Sequence, residues 1–269
     1  MKDKPKADKQ LHSLYGGSVQ IEYTENPYHK YVLITPEGKE TLLSVTAITA
    51  LVDKSQSLIF WAIGLADKHL RAYLAERGDI VDKEELLDIW EVASKQHQTV
   101  KNEAASNGSL VHAWAEAWAD AHMRKTSLPA LTSDLPMEVT NGINAFLDWT
   151  AQHKVEVQSA ESLVYSASQN FAGKLDAVAL VDGVGTLIDY KTAKAIYPEA
   201  IMQTAAYWYA WNEERADRPK EQLTQAMIAR FDKETGAFET RLLPQEELLA
   251  AYTSFCGLKA AKTWLKTQK

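Results

Sequence analysis

Short runs of alternating apolar and polar residues fill the second half of the chain and predict strands. Two of these runs flank Asp182-Gly183, a dipeptide that favours a hairpin turn. Two prolines predict helix starts, because their fixed φ suits a first helical turn. The predicted strands are Val155–Tyr165, Phe171–Val181, Gly185–Thr192, Leu223–Phe231 and Ala237–Leu243, the last two joined by DKETG, and the predicted helices run from Pro198 to about Glu214 and onward from Pro244. The order β-β-β-α-β-β-α indicates an α/β core.

Apolar residues at three- and four-residue spacing, typical of helices, dominate the first half of the chain from Ser44 to about Trp149. A small hairpin is predicted before them. Its strands are Val19–Tyr23 and Lys30–Thr35, separated by Asn26 and Pro27, and helix breaks are predicted near Gly78-Asp79, Asn107-Gly108 and Ser127–Pro136. We expect one compact domain with a charged tail over 1–16, the hairpin and helical region over 17–154, and the core over 155–269.

The composition is that of an ordinary globular protein, with 46% hydrophobic and 24% charged residues. No apolar run approaches the roughly 18 residues that span a bilayer, and the charged N-terminus is unlike a secretory signal. The single cysteine, Cys256, excludes an intramolecular disulfide and any zinc or iron–sulfur site that needs four cysteines. The chain contains no GxxxxGK[ST] motif, so we do not expect an ATP-driven motor. These features predict a cytoplasmic protein.

The net charge of -7 argues mildly against nucleic acid as a partner, because phosphate contacts usually require a basic surface. An enzyme that grips DNA only locally need not be basic overall, and a metal site requires clustered carboxylates. Charge alone therefore does not separate these classes of protein.

The segment FAGKLDAVALVDGVGTLIDYKTAK holds the residues best suited to chemistry. Asp189 and Lys191 share one side of their strand, because alternate residues of a strand face the same way, while Tyr190 points away. Asp176 lies in the partner strand, so the hairpin brings two carboxylates and one ammonium close together. Two such carboxylates repel unless a cation lies between them, and oxygen ligands favour Mg2+ or Mn2+.

The alternative is a surface hairpin whose acidic and basic side chains form ordinary exposed pairs. The apolar setting favours the metal site, because unpaired charges are costly inside a core-like hairpin. The apolar residues are Val178, Leu180, Leu187 and Ile188.

Three segments, GKLDAVAL, LIDYKTAK and QTAAY, resemble in sequence and order the motifs of the RecB-like branch of the PD-(D/E)xK nuclease superfamily. There a G-x-x-D strand, a D-x-K strand and a Q-x-x-x-Y helix follow one another. The matching residues are Gly173 with Asp176, Asp189 with Lys191, and Gln203 with Tyr207, and GSLVHAWAEAW resembles the family's histidine motif, with His112. The helical region and the SVTAIT segment around Ser44 and Thr46 resemble phage-type and mitochondrial genome-maintenance exonucleases.

The resemblance implies an α/β (α+β) restriction-endonuclease-like core, a mixed sheet flanked by helices, with a helical N-terminal elaboration. It implies a Mg2+-dependent deoxyribonuclease, specifically an exonuclease for phage-type DNA processing, recombination or repair in a bacterium or phage-infected host cell. The implied catalytic residues are Asp176, Asp189 and Lys191, and the implied metal ligands are His112, Asp176 and Asp189. Mn2+ is expected to substitute for Mg2+, no iron–sulfur cluster is expected, and the expected partners are DNA and a single-strand annealing or recombination protein.

Five further residues are implied to support the site or contact DNA: Glu161, Tyr190, Gln203, Tyr207 and Lys194. Glu161 either reaches the metal through water, holds Lys191, or is an ordinary strand-edge glutamate. The pair of Gln203 and Tyr207 either helps to build the site or only packs its helix. Glu116 is not expected to be a ligand, and Trp114 and Trp118 are expected to pack their helix.

Two other functions stay open on the sequence. A structure-specific or nicking endonuclease would use the same chemistry at phosphorus. A catalytically silent nucleic-acid-binding protein of this fold is disfavoured, because such a protein would be expected to lose one of the three catalytic residues.

Overall fold

The computed structural model describes residues 9–25, 29–78, 81–132, 134–232 and 235–268. The strands are β1 Lys9–Leu14, β2 Val19–Thr24, β3 Lys30–Thr35, β4 Gly38–Thr41, β5 Leu43–Ser44, β6 Val155–Ser166, β7 Phe171–Val181, β8 Val184–Thr192, β9 Gln225–Phe231 and β10 Phe238–Pro244. The helices are α1 Val45–Thr49, α2 Ser55–Arg77, α3 Lys83–Arg124, α4 Met137–Gln152, α5 Pro198–Glu214 and α6 Gln245–Thr267.

A mixed six-stranded sheet positions the residues of interest. Its order is β10-β9-β8-β7-β5, and β6 pairs with β7 outside this path. β8 and β9 run parallel, because the chain crosses over through α5 between them, whereas β7 is antiparallel to both β6 and β8. Helices α4, α5 and α6 and the last part of α3 flank this sheet, as the sequence predicts for the fold class.

Each face of the sheet is covered by a pair of helices. Phe171 and Leu187 on one face pack in a cluster with α5 and α6. Ile188 and Tyr190 on the other face belong to a cluster with α4 and the last part of α3. Phe146 of α4 lies at the centre of that second cluster, with its ring centroid 4.9 Å from that of Trp118 and 6.1 Å from that of Tyr190. The catalytic hairpin predicted from the sequence is therefore buried between two helical layers.

The N-terminal strands form a separate antiparallel sheet of order β1-β2-β3-β4. Tyr23 and Tyr31 from this sheet are buried in a third cluster together with Leu163 and Tyr165 of β6. The N-terminal sheet thus packs against the strand next to β7.

The chain contacts divide into two units, Met1–Leu51 with Val111–Lys269, and Val52–Leu110. The first unit contains both sheets. The second contains α2 and the first part of α3, which are joined by hydrogen bonds from Tyr73 and Arg77 to Glu85. None of the helices in the described ranges is long and apolar enough to cross a membrane. The predicted domain limit at 154/155 stays a prediction.

The strands and helices predicted from residue 155 onward are confirmed to within a few residues, as are the strands of the first hairpin and the interruption between α3 and α4. Some residues named in these predictions lie outside the described residues. They are residues 1–8, Asn26, Pro27, Asp79, Lys233 and Glu234.

Two predictions are wrong. Residues Lys9–Leu14 belong to a strand, not to a tail, and pair with β2 along their whole length. Their side chains are mostly exposed, so backbone pairing forms this strand without a clear apolar pattern. The break at Asn107-Gly108 is also absent, since α3 runs unbroken through it. A glycine costs a helix only about 1 kcal/mol, which the turns on either side outweigh.

The aromatic layer under the sheet leads to a stability prediction. Phe146 is 1% exposed, so Phe146→Ala should lower the free energy of unfolding by about 3–5 kcal/mol through the cavity that it leaves. Phe60→Ala is the matched control, because Phe60 is 67% exposed and its loss should change stability by less than about 0.5 kcal/mol. Urea unfolding followed by circular dichroism measures both, and similar losses would contradict the assigned role of Phe146.

Candidate active site

The strands β7 and β8 separate at the two carboxylates. β8 pairs with β7 from Val181 back to Ala177, and β5 pairs with β7 at Phe171 and Ala172. Beyond Ile188, β8 continues beside β9. Asp176 and Asp189 are therefore the first residues after the point where the two strands part. The hairpin predicted from sequence does bring them together, but at a fork and not inside a continuous ladder.

Asp189 is a buried carboxylate with unsatisfied oxygens. It is 1% exposed, and neither Oδ1 nor Oδ2 accepts a hydrogen bond from the described residues. Lys191 Nζ lies 2.5 Å from Oδ2, so the two form an ion pair, but without hydrogen-bond geometry. Burying an ionised group without hydrogen bonds is costly, on the order of several kcal/mol. A further positive group bound at these oxygens would lower the energy of the buried carboxylate.

Asp176 bridges the fork. Its Oδ2 accepts a hydrogen bond of 2.7 Å from the backbone N–H of Tyr190, which takes the place of a strand-to-strand bond. Burial, followed by the charge of Asp189, raises the pKa of Asp176 to about 7, against the opposing effects of Lys191 and the Tyr190 amide. The second of these causes, the charge of Asp189, is the repulsion between adjoining carboxylates that the sequence predicts.

The side chain and the backbone of Tyr190 make contacts in different parts of the structure. Its ring is 3% exposed and lies in the aromatic layer, 6.1 Å from Phe146 between centroids. Its backbone faces the carboxylates, with the N–H on Asp176 and the carbonyl oxygen 3.4 Å from Lys191 Nζ. The prediction that its side chain points away from the site is confirmed.

His112 of α3 approaches the same backbone from the helical layer. Its ring is edge-on to Tyr190, at 6.2 Å between centroids. Burial, followed by Lys191, lowers the pKa of His112, whereas Asp189 and Glu161 oppose this change. A neutral imidazole is the form that binds metals, so the electrostatics suit the predicted role of ligand.

Glu161 lies level with Asp176 on the neighbouring strand. The residues on either side of it, Ala160 and Ser162, pair with Ala177 and Leu175 of β7. Its φ of 49° is in the left-handed region, an uncommon conformation that costs energy in a residue other than glycine. Three carboxylates thus occupy successive positions across β6, β7 and β8.

The ion pair of Glu161 is formed with Lys174, with 2.5 Å between Oε2 and Nζ. The suggestion that Glu161 holds Lys191 is therefore not supported, because Lys191 pairs with Asp189. Sequence reasoning missed Lys174. Its position two residues before Asp176, on a strand next to Glu161, is the only signal that could have indicated it.

The glycine and tyrosine motifs meet in a single contact. A Cβ atom at Gly173 would collide with Cε1 of Tyr207 and lie 3.1 Å from Cγ2 of Val45. Gln203 Nε2 donates to Tyr207 Oη at 2.9 Å, and the tyrosine is 3% exposed. Burial, followed by the charges of Tyr31 and Asp189, raises the pKa of Tyr207. Tyr207 thus packs against β7 three residues before Asp176, and a role of the pair in building the site or contacting DNA stays a prediction.

The other candidate residues lie on the loop after β8, on α3 and at the start of α1. Lys194 is exposed, two residues beyond the end of β8, and its contact with a phosphate stays a prediction. Trp114 and Trp118 are buried in the layer with Phe146, so their predicted packing role is confirmed. Ser44 accepts a hydrogen bond from Ala47 N and caps α1, which gives the SVTAIT segment a structural role.

The donor set suits a hard divalent cation. Within the described ranges, no three His, Cys, Asp or Glu side chains converge as a complete metal-binding group. The two oxygens of Asp189 without hydrogen bonds and the adjoining Asp176 carboxylate nevertheless match Mg2+, which is usually bound by one or two carboxylates with water and substrate phosphate. His112 stays a predicted further ligand.

Comparison with known proteins agrees with this geometry. The family model described as the PD-(D/E)XK nuclease superfamily matches residues 86–263. The chain belongs to the PD-(D/E)XK nuclease superfamily. Members of this superfamily are typically nucleases that use divalent metals such as Mg2+. The finer resemblance to the RecB-like branch and to phage-type or mitochondrial exonucleases stays a prediction.

Other comparisons add little. None of the curated proteins matches the chain. Among solved structures, the crystal structure of SSO0001 is similar, with 12% identity, a TM-score of 0.27, and coverage of 46% of this chain and 61% of that one. The chain thus spans less than two thirds of that protein, and the similarity supports no conclusion about function.

The contact between Gly173 and Tyr207 can be tested by a double-mutant cycle. Gly173→Ala should destabilise the fold by about 1–3 kcal/mol through overpacking, and by much less when Tyr207→Ala has removed the ring. Gly257→Ala on α6 is the control, since its added Cβ meets nothing within 4 Å, so it should be neutral or stabilising by up to about 1 kcal/mol. Chemical denaturation measures all four proteins of the cycle, and additive losses would contradict the contact.

The raised pKa of Asp176 predicts competition between protons and metal. Below about pH 7 this carboxyl is protonated in the metal-free protein, so Mn2+ binding should weaken by up to about tenfold per pH unit and should release a proton. The shift also means that Asp176 makes the metal-free fold less stable as pH rises from about 4 to about 7, because the folded state binds the proton more tightly than the unfolded state.

Titration calorimetry between pH 5.5 and 8, in two buffers of different ionisation enthalpy, measures the affinity and the released proton. Asp217→Asn, at an 85% exposed side chain, should behave like the parent, whereas Asp176→Asn should bind weakly at every pH. An affinity that does not change with pH in the parent would refute the linkage.

Proposed function

We propose that this protein hydrolyses phosphodiester bonds of DNA at the β7–β8 fork, with Mg2+ held by Asp176 and Asp189 and with His112 as a further ligand. The observation that carries the proposal is the buried Asp189 carboxylate, which lies beside a second carboxylate and Lys191 and whose two oxygens accept no hydrogen bond from any described residue. Membership of a nuclease superfamily supports the same reaction.

The metal site, Lys191 and the aromatic layer have different roles in the proposed reaction. A divalent cation at the carboxylates supplies the positive charge that polarises a phosphate and lowers the pKa of a nearby water. Lys191, half-buried beside Asp189, orients the attacking water and stabilises negative charge that develops on the phosphate. The aromatic layer under Tyr190 keeps the centre apolar on one side, which strengthens these electrostatic interactions.

The protein acts, in this proposal, as an exonuclease in phage-type DNA processing, recombination or repair. The resemblance of the SVTAIT segment and the helical region to phage-type exonucleases supports this choice. An enzyme that accepts a strand end needs only a narrow local set of basic groups, which fits a chain with a net charge of -7. A single-strand annealing or recombination protein is the proposed partner.

The second candidate is a structure-specific or nicking endonuclease with the same centre, because the chemistry at phosphorus is shared. A silent DNA-binding role is disfavoured by the intact set of Asp176, Asp189 and Lys191.

Linear and covalently closed circular DNA distinguish the two nuclease activities. With Mg2+ or Mn2+ the purified protein should degrade end-labelled linear DNA and leave closed circles intact, and excess chelator should abolish the reaction. Added salt should slow it, because the few phosphate contacts are electrostatic. Gel electrophoresis follows both substrates, and rapid nicking of the circles would replace the exonuclease proposal by the endonuclease one.

Matched variants identify the centre in the same assay. Asp189→Asn and Lys191→Ala should each slow cleavage by about a hundredfold or more, because each removes a charge from the reaction centre. Asp217→Asn, the same chemical change at an exposed position, should leave the rate unchanged. Near-normal cleavage by Lys191→Ala at saturating metal would remove this lysine from the mechanism.

A further inference from the structure

A polar cavity of about 280 Å3 lies beside β6 and β7, in the same unit as the carboxylates. This volume lies just below the range for pockets that bind drug-sized molecules, about 300–1,000 Å3, so it suits a small group. Its floor and rim come from the N-terminal sheet, the core sheet and α3. The lining residues are Gln10, His12, Tyr23, Glu25, Glu116, Glu161, Leu163 and Lys174.

Two buried polar atoms of the cavity residues lack hydrogen-bond partners in the described part of the chain, Tyr23 Oη and His12 Nε2. Tyr23 is only 2% exposed, so its hydroxyl cannot rely on bulk water. Leaving such a group unpaired costs about 1–3 kcal/mol. Buried polar groups are otherwise nearly always satisfied, so these two atoms point to a bound molecule with its own donors and acceptors.

The charges of the cavity indicate what kind of molecule it accepts. Glu25, Glu116 and Glu161 outnumber Lys174, and burial followed by Lys174 lowers the pKa of His12, so that its ring is neutral. A phosphate would be repelled by this negative excess. A cation would meet the Lys174 ammonium, which lies 2.5 Å from Glu161. The arrangement of several acceptors, one cationic donor and a tyrosine hydroxyl suits a neutral group that donates and accepts hydrogen bonds.

The cavity adjoins the candidate centre through two of its residues. Glu161 is level with Asp176 on the next strand. Glu116 lies one helical turn after His112 on α3, on the same side of the helix. A nucleotide whose phosphate reached the carboxylates would therefore have its neighbouring groups near this opening.

We propose that the cavity binds an unpaired nucleobase that carries an exocyclic amino group, next to the phosphodiester bond to be cut. This inference rests on the proposed nuclease function and adds a preference for the base. Glutamate accepts hydrogen bonds from an amino group such as that of cytosine N4, whereas thymine presents an acceptor oxygen at the corresponding position. Tyr23, His12 and Lys174 face the remaining donors and acceptors of the base. A whole base can enter a cavity only when it is unpaired and out of the base stack, so the proposed substrate is single-stranded at the site of cleavage.

Binding of two hexanucleotides without cleavage tests the proposal. Fluorescein-labelled dC6 and dT6 are titrated with the protein in excess chelator and followed by anisotropy. The parent should bind dC6 about three- to tenfold more tightly than dT6, the value of one or two hydrogen bonds. Glu116→Gln should bring the two affinities together, because an amide can also donate to the thymine oxygen. Tyr23→Phe should weaken dC6 binding by about threefold or more, while circular dichroism confirms its fold.

Tyr252→Phe is the matched control, because Tyr252 is also a buried tyrosine but does not line the cavity. It should bind both oligonucleotides as the parent does. Equal binding of dC6 and dT6 by the parent, or no measurable binding of either, would overturn the proposal. A preference for dC6 that survives in both Glu116→Gln and Tyr23→Phe would place the selective site elsewhere and would overturn it as well.

Cleavage of mixed-sequence linear DNA with Mg2+ is measured separately, so that the nuclease function and the base preference can fail independently. Cleavage without a base preference would refute only the cavity proposal, and a base preference without cleavage would refute only the nuclease function. A Glu116→Gln protein that needs more Mg2+ for half-maximal cleavage, with its base preference unchanged, would show that the cavity holds a cation instead.

Discussion

Two carboxylates held together in an apolar interior are the constraint on which the rest of this structure depends. Asp189 is nearly fully buried and its oxygens accept no hydrogen bond from the part of the chain that the structure describes, and Asp176 beside it has a pKa of about 7. Such a pair costs stability, and the two helical layers that pack on the sheet must offset that cost. The fork between β7 and β8 places both carboxylates at the point where the two strands separate, while β7 and β8 stay paired up to that point.

The hairpin and the grouping of its charged side chains could be predicted because they depend on local pattern. Alternation in LIDYKTAK places Asp189 and Lys191 on one side of the strand and Tyr190 on the other, and the structure has this arrangement. The fork could not be predicted in this way. It arises because β8 leaves β7 to follow β9, a strand that comes after α5 in the chain, and no pattern within the hairpin encodes that distant pairing.

Three other features of the structure could not be predicted from the sequence, because they depend on backbone pairing or on contacts between distant residues. The strand Lys9–Leu14 is held by backbone hydrogen bonds, which leave little trace in side-chain composition. The left-handed backbone of Glu161 depends on tertiary packing, since glutamate has no intrinsic preference for it. The contact of Gly173 with Tyr207 explains why a glycine motif and a tyrosine motif occur together, although a sequence shows only that both are present.

The parallel pairing of β8 with β9 also determines when the centre is completed as the chain is synthesised. The β7–β8 hairpin is local and can close early, but β9 and the Tyr207 side chain of α5 follow it from the ribosome. Non-local parallel pairing forms slowly, because the intervening loop must be closed first. A nascent chain therefore displays its D-x-K strand before it has the neighbours that bury Asp189. Assembly of the two carboxylates with all of their neighbours is therefore delayed until nearly the whole core sheet has left the ribosome.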